Sequence, residues 1–526
     1  MAGGPIAKSG GTSAYAHLVD HSPWWKNRRL ITLNAWILLL LITSSTNGYD
    51  GSMMNGLQSL TQWNVAFNYP NGGELGLLSA IQNIGSLCAY PFAPYLCDGW
   101  GRRKTVIFGA LLMVGATILQ TASQNVRMFI GARWLIGFGL TFAATASPLL
   151  ITELAYPSHR GQATSLYNSL WVFGSIIAAW TTFGTFNISN SWAWRVPSAI
   201  QGLPSVIQIC LVWFVPESPR WLVSHGREAE ALKTLAYYHA EGNDKHPLVE
   251  YEFEEIKAAI ALDRQVAESV GWTTLFKTPG NRKRVRIIVA IAFFSQWSGN
   301  GLASYYLNKV LNAIGITDPT TQLLINGILS IWSFVICIIG SLLCDKVGRR
   351  GLFLFSTFSM VIFWTLETVC FALYTETGSK AAAHTFIAMI ILYGAAYGIA
   401  YSPLIVTYTV EILPYSLRSK GFTLFNFTIS LSLIFNQYAN PIALKAIGWK
   451  YYTVYIAWLV FESVFMYLYL VETKGRTLEE TAALFDGEDT VAKIAHPAAE
   501  MAEAPRTFGV TSDDEKDSTS HVEYVA

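Results

Sequence analysis

A chain of 526 residues that is 52% hydrophobic and 14% aromatic but only 13% charged cannot cover an ordinary soluble surface, where roughly 25% of residues carry charge. The composition excludes a soluble globular protein and points to an integral membrane protein. The net charge of +1 says little as a sum, and its distribution says more.

Taken in order, residues 1–29 are polar and lack the charged, apolar and small-residue succession of a cleavable signal, so insertion falls to the first membrane helix. Apolar runs of about 20 residues, the length that crosses roughly 30 Å of hydrocarbon, predict spans at 30–52, 76–97, 105–122, 128–150, 163–185 and 197–215. A polar block at 216–285 interrupts the pattern. There Ala231, Leu232, Leu235, Tyr238, Phe253, Ile256 and Ile260 recur among charges, which predicts short amphipathic helices in a folded linker. Glu252, Glu254 and Glu255 break up its cations, against a nucleic-acid surface. Six further runs follow at 286–308, 321–343, 352–374, 385–409, 420–440 and 453–471. The segment 472–526, with Asp513, Asp514, Glu515, Lys516 and Asp517 and little apolar pattern beyond Phe485, reads as a disordered tail.

Cations gather after the second run (Arg102, Arg103, Lys104), in the polar block and after the eighth run (Lys346, Arg349, Arg350). The positive-inside rule therefore places those loops and both termini in the cytoplasm. The expected fold is an all-α membrane protein of twelve transmembrane helices in two bundles, 30–215 and 286–471, located in the plasma membrane as a monomer. Cys88, Cys97, Cys210, Cys337, Cys344 and Cys370 show no metal spacing and no disulfide framework, and read as packing residues.

Three motifs recur between the halves: CDGWGRRK at Cys97 with CDKVGRRG at Cys344, ELAYPSHRG at Glu153 with EILPYSLRSKG at Glu411, and PESPRW at Pro216 with VETKGR at Val471. The matched acids lie 247 (98 to 345), 258 (153 to 411) and 255 (217 to 472) residues apart. Such a near-constant offset means duplication, and a six-helix unit used twice in parallel is the architecture of the major facilitator fold, with a substrate site near midplane between the halves. Each motif sets carboxylates beside arginines at a helix end. Asp98, Arg102, Arg103, Glu153, Arg160 and Glu217, with their counterparts Asp345, Arg349, Arg350, Glu411, Arg418 and Glu472, are candidates for charge networks that hold one conformation shut and break in the other. The alternative is that they only anchor helices and enforce topology.

These motifs, D-x-x-G-R-R twice, E-x6-R twice, PESPRWL closing the first half and VETKGR after the last helix, resemble the sugar-porter family of the major facilitator superfamily. Within it, NGYDGSMMNGL, LYNSLW and SQWSGNGLASYYLNKVL resemble the fungal branch of lactose permeases and cellodextrin transporters. Four positions depart from the family pattern. Gly99 stands where an Arg is usual, Val471 replaces a Pro, Gln296 is followed by Trp297 where hexose porters pair two glutamines, and Val406 falls where a Trp is usual, after Ser402-Pro403. The last two tell against a hexose-type pocket.

Asp50 stands near the outer end of the first helix in an uncharged apolar setting. An intramembrane carboxylate costs roughly 2.5–3.5 kcal/mol on insertion scales and marks a function by default. Arg133 in the fourth helix is its natural partner, and the resemblance implies the same pair, which proton-coupled members carry. A proton on Asp50 would break the pair and tie proton entry to rearrangement of the halves; the competing reading is a permanently ionised structural bridge. A sugar needs neutral donors and acceptors with aromatic faces. The resemblance carries over Asn168, Gln296 and Tyr306 as sugar contacts, and Asn300 lies one turn beyond Gln296. Asn326, Asn436, Gln437 and Asn440 are candidates as amides in membrane segments, with interhelical bonding as the alternative. Asn187 heads a glycosylation acceptor in the loop after the fifth helix.

No phosphate loop, metal cluster or nucleophile constellation appears, so neither enzymatic activity nor a cofactor is expected, and the proton is the coupling ion. The expected activity is proton-coupled import of a sugar, a β-linked disaccharide such as lactose or cellobiose, with sugar, protons and membrane lipid as partners. A facilitative monosaccharide or polyol carrier and a transporter-like sugar sensor are the alternatives.

Overall fold

Each apolar run folds as helix, because a chain with no water to bond must satisfy its peptide groups internally. The computed structural model describes residues 24–157, 160–269, 272–413, 415–474, 481, 484 and 485, and these contain no strand. The first half runs α1 (Arg28–Leu57), α2 (Thr61–Ala66), α3 (Gly73–Ala89) continued by α4 (Ala93–Trp100), α5 (Arg102–Thr121), α6 (Val126–Leu154), α7 (Arg160–Thr185), and α8 (Trp192–Ile200) continued by α9 (Leu203–Leu211). The polar block forms α10 (Pro219–Ser224), α11 (Glu228–His239), α12 (Pro247–Ser269) and α13 (Thr274–Lys277). The second half runs α14 (Pro279–Trp297) continued by α15 (Asn300–Ala313), α16 (Pro319–Val347), α17 (Arg349–Thr377), α18 (Lys380–Gly398) continued by α19 (Tyr401–Glu411), α20 (Tyr415–Ile447) and α21 (Tyr451–Tyr469). With α2 and the linker helices set aside, this is a twelve-helix fold of two groups of six.

Eight stretches of the described chain are long and apolar enough to cross a membrane, the last of them uniting α20 and α21. The second, fifth and seventh spans fall outside those stretches. The second is interrupted at Tyr90–Phe92 and the seventh at Ser298–Gly299, while only Leu170–Thr185 of the fifth counts as an apolar helix. Several helices outrun the apolar runs because polar caps, not the edge of the hydrocarbon, end them. Asn27 accepts from the N–H groups of Arg29 and Leu30, Asn125 from Met128 at 2.9 Å, and Asp318 from Thr321 at 2.8 Å.

The duplication is visible at two tight turns. Gly101 (φ +103) joins α4 to α5 and Gly348 (φ +97) joins α16 to α17. A Cβ would stand 2.5 Å from Glu217 Oε2 at the first and 2.8 Å from Glu472 Oε2 at the second, and both turns require glycine for their positive φ. Each half has its own apolar core. A further cluster joins Tyr49, Met53, Leu57, Trp63 and Phe67 to Tyr306 and Leu323, and so bridges the halves at the C-terminal end of α1. The linker docks on the first half at the opposite end: Trp221 Nε1–H donates to the Asp98 carbonyl at 2.6 Å, and Arg29 lies over the Tyr237 ring. All six cysteines are free thiols. The residues expected to form the disordered tail lie outside the described chain, apart from a few positions up to Phe485.

Candidate functional site

Asp50 and Arg133 are buried, at 0% and 2% exposure. From α6, the Arg133 guanidinium donates to Asp50 Oδ1 on α1 (3.4 Å), to Gln82 Oε1 on α3 (3.1 Å) and to the Leu78 carbonyl (3.0 Å). Gln201, in the break between α8 and α9, donates to the same Asp50 oxygen. Asp50 Oδ2 is buried with no protein hydrogen-bond partner. The carboxyl is thus lopsided: Oδ1 takes two donors and Oδ2 none. An ionised carboxylate is acceptor-only at both oxygens, and an unmet buried polar group costs about 1–3 kcal/mol. A proton on Oδ2 removes the charge and turns that oxygen into a donor that calls for an acceptor instead.

The amides named from the sequence fall into three places. Around the α14–α15 break, Gln296 donates to Ser295 Oγ (3.1 Å) and Asn300 to the Ser295 carbonyl (3.4 Å), while Asn436 of α20 donates to the Gln296 carbonyl and receives from Asn440. Asn300 Oδ1 is buried without a protein partner, which leaves bonding capacity for a hydroxyl. At the seam of α3 and α20, Asn83 Nδ2–H donates to Gln437 Oε1 at 2.7 Å, and the Tyr306 hydroxyl donates to the Gln437 carbonyl. Tyr306 is wholly buried, so its hydroxyl is committed to that seam. At the seam of α1 and α16, Asn55 donates to Asn326 Oδ1 at 3.0 Å, and Asn326 Nδ2 is buried without a partner. The backbone of Asn168 lies in α7, but its side chain is outside the described residues. Sequence reading passed over Gln82, Gln201, Asn55 and Asn83. The signal that found Asn326, an amide within a span, also marks Gln82, Asn83 and Gln201, while Asn55 lies beyond the end of the first run.

Trp297 points elsewhere. Its ring packs against Phe293, Phe435 and Trp458, with centroids 5.3, 5.2 and 4.8 Å away, on the face that α14 turns to α21.

The family of sugar (and other) transporters matches residues 36–485. The chain belongs to that family. It is 28% identical to an MFS-type transporter, oryC, of Aspergillus oryzae over 90% of both chains. It is 27% identical to the low-affinity glucose transporter HXT3 of Saccharomyces cerevisiae over 86% of this chain and 82% of that one. Its fold matches the inward-open conformation of the xylose transporter XylE from E. coli with a TM-score of 0.70, at 25% identity, over 86% of this chain and all of that one. The protein is a membrane transporter of the major facilitator fold, not an enzyme.

In this sugar-porter chain the motif residues build the same arrangement twice. Arg102 pairs with Asp98 and with Glu153, both at 3.1 Å, and Arg349 pairs with Glu411 at 2.9 Å. Glu217 accepts from the Arg103 N–H (3.2 Å), as Glu472 accepts from those of Arg349 and Arg350 (2.9 and 3.0 Å). Burial pushes the Glu217 carboxyl above the usual range, while the N–H groups of Ser218 and Arg103 and the charges of Arg103 and Arg102 pull it back. The Arg103 and Arg350 guanidinium groups bond no carboxylate among the described residues. Arg103 donates to the Val215 carbonyl (3.1 Å) and Arg350 to the Tyr467 carbonyl (3.0 Å), each closing the end of the last span of its half. The side chains of Arg160, Asp345 and Arg418 lie outside the described residues. Asn187 is exposed in the turn after α7, near Gln62, which donates to the Ile188 carbonyl at 2.8 Å.

Proposed function

We propose that this transporter imports a sugar together with protons by alternating access at the plasma membrane, with both termini in the cytoplasm. The observation that carries the coupling is the lopsided carboxyl of Asp50, where Arg133 and Gln201 share one oxygen and the other stands bare. Neutralising Asp50 weakens its hold on Arg133 and so frees α1 from α6, a differential interaction that can bias a two-state rearrangement. The sugar reading is supported by the family and by the amides gathered at the α14–α15 break, where Gln296, Asn300 and Asn436 offer neutral donors and acceptors.

The finer reading of a β-linked disaccharide rests on Val406 and on the lactose-permease-like stretches of the sequence. Trp297 does not support it, because its ring packs against Phe435 of α20 and Trp458 of α21. A hexose is the second reading, favoured by that placement and by the glucose transporter among the relatives. The test is labelled-sugar uptake in yeast lacking its own hexose carriers, with lactose, cellobiose and glucose as competitors, with and without an uncoupler. Uptake that collapses with the uncoupler supports proton coupling, and uptake indifferent to it removes that coupling. Asp50→Asn, which mimics the protonated acid, is expected to keep sugar exchange across proteoliposomes and lose accumulation against a gradient.

A further inference from the structure

A second buried carboxyl lies in the other half, away from Asp50. Glu462 of α21 is 0% exposed and stands where two broken spans meet. One is the α14–α15 break, in which Gly299 adopts φ +99 and a Cβ would fall 2.6 Å from the Trp364 ring. The other is the α18–α19 break just before Tyr401. Glu462 Oε1 accepts from the Tyr401 hydroxyl, and Oε2 lies 2.9 Å from Ser298 Oγ. Around it stand Tyr393, whose hydroxyl donates to the Ser298 carbonyl at 2.6 Å, and Tyr397, which donates to the Ser295 carbonyl and stacks on Tyr401. Among the described residues Glu367 of α17 is the other buried acid of this half. Among the described residues no ion pair involves Glu462.

The protons here can be counted. Ser298 has one O–H, yet its oxygen is within hydrogen-bond reach of two acceptors, the Phe294 carbonyl one turn back and Glu462 Oε2. A hydroxyl has one donor and two acceptor sites. If it gives its proton to Phe294, the contact with Glu462 needs a proton from the carboxyl. That leaves every group paired in one direction: Tyr401 O–H to Glu462 Oε1, Glu462 Oε2–H to Ser298 Oγ, Ser298 O–H to the Phe294 carbonyl. An ionised Glu462 would instead sit in the bundle with no cation, the Tyr401 O–H on one oxygen and half of a shared donor on the other, the costlier arrangement in a membrane interior.

We propose that Glu462 is held as a neutral carboxylic acid that donates to Ser298 and accepts from Tyr401, and that in this form it is the positioning residue tying the broken seventh and tenth spans to the twelfth. The proposal rests on the transporter fold and is independent of which sugar is carried and of the role of Asp50. Glu462→Gln reproduces the neutral form, since an amide can donate to Ser298 and accept from Tyr401. Glu462→Ala removes both links and Tyr401→Phe removes one without a cavity.

Two measurements on the full chain in lipid test it. Infrared difference spectra of wild type against Glu462→Gln are expected to contain a protonated-carboxyl C=O band that shifts in D2O, a readout that needs no substrate. Uptake is expected to fall about tenfold in maximal rate for Glu462→Ala and several-fold for Tyr401→Phe, with KM little changed and with Glu462→Gln restored to near the wild-type rate. Absence of the carboxyl band overturns the neutral assignment. A Glu462→Gln protein as impaired as Glu462→Ala overturns it as well, and full rates for both Glu462→Ala and Tyr401→Phe overturn the positioning role. If no tested sugar is taken up even by wild type, the sugar reading fails, while the infrared band still decides the state of Glu462.

Discussion

At the scale of single residues the decisive feature is imbalance. Arg133 serves three acceptors on α1 and α3, and Asp50 meets it with one oxygen. Arg133→Ala leaves a buried carboxyl without its cation and frees two further acceptors, so a loss of about 3–5 kcal/mol in folded stability is expected, the usual result of breaking one side of a buried pair. Asp50→Asn keeps an acceptor for Arg133 and is expected to cost less. The double variant should fall short of the sum, as for groups in contact. Thermal unfolding of detergent-purified protein reads all three, and an Arg133→Ala protein as stable as Asp50→Asn would falsify the pairing. Asp50 and Arg133 were legible in the sequence because a charge inside an apolar run is conspicuous. Their partners Gln82 and Gln201 were not, since many amides lie in the spans and only the fold says which ones face a charge. The rule that singles out Asp50 applies equally to Glu367 and Glu462, but a lone acid in a run does not reveal that its partners are tyrosines and a serine from other helices.

At the scale of elements, the predicted runs fall on helices, because most of them are long and apolar, though the second, fifth and seventh are not apolar enough throughout to count as crossing stretches, and the duplicated turns were legible because glycine and two arginines recur there. The internal breaks were not legible. At Ser298–Gly299 the Trp364 ring occupies the space that a side chain on Gly299 would need, a contact with a residue far along the chain. The charge networks were readable as composition but not as geometry. Of the two arginines in each motif, one pairs with the glutamate of a neighbouring helix while the other closes a helix end through a backbone carbonyl. Arg102 and Arg349 are therefore the members to test. Arg349→Ala is expected to lower the maximal transport rate with the apparent affinity unchanged, and Arg102→Ala to do the same in the first half, because both links lie outside the amide set around the α14–α15 break. Unchanged rates in both variants at normal surface expression would leave the networks as helix anchors alone.

At the scale of the whole molecule, one group of described bonds between the halves lies at the C-terminal end of α1, and Asn83 to Gln437 (2.7 Å) adds another at the seam of α3 and α20. Asn55 donates to Asn326 and accepts from the Leu307 N–H (3.1 Å), Gln58 donates to the Tyr305 carbonyl (2.7 Å), and Asn308 reaches Ser59 Oγ (3.3 Å). The apolar cluster that includes Tyr49, Met53, Tyr306 and Leu323 lies beside them. At the motif end the described ion pairs stay within one half. The alternating access proposed above requires the contacts at the C-terminal end of α1 to part in the other state. Asn55→Ala removes its share of that seam and leaves the Leu307 N–H unmet, a cost of about 1–3 kcal/mol borne only by the present state. A bias of about 2 kcal/mol moves a two-state equilibrium roughly thirty-fold, so spin labels placed on the loop after α1 and on the loop after α15 should move apart, and labels on α4 and α16 at the motif end should draw together. Asn55→Ala with both distance distributions unchanged would mean that the apolar cluster alone holds the seam, and the hydrogen bonds would then only set its register.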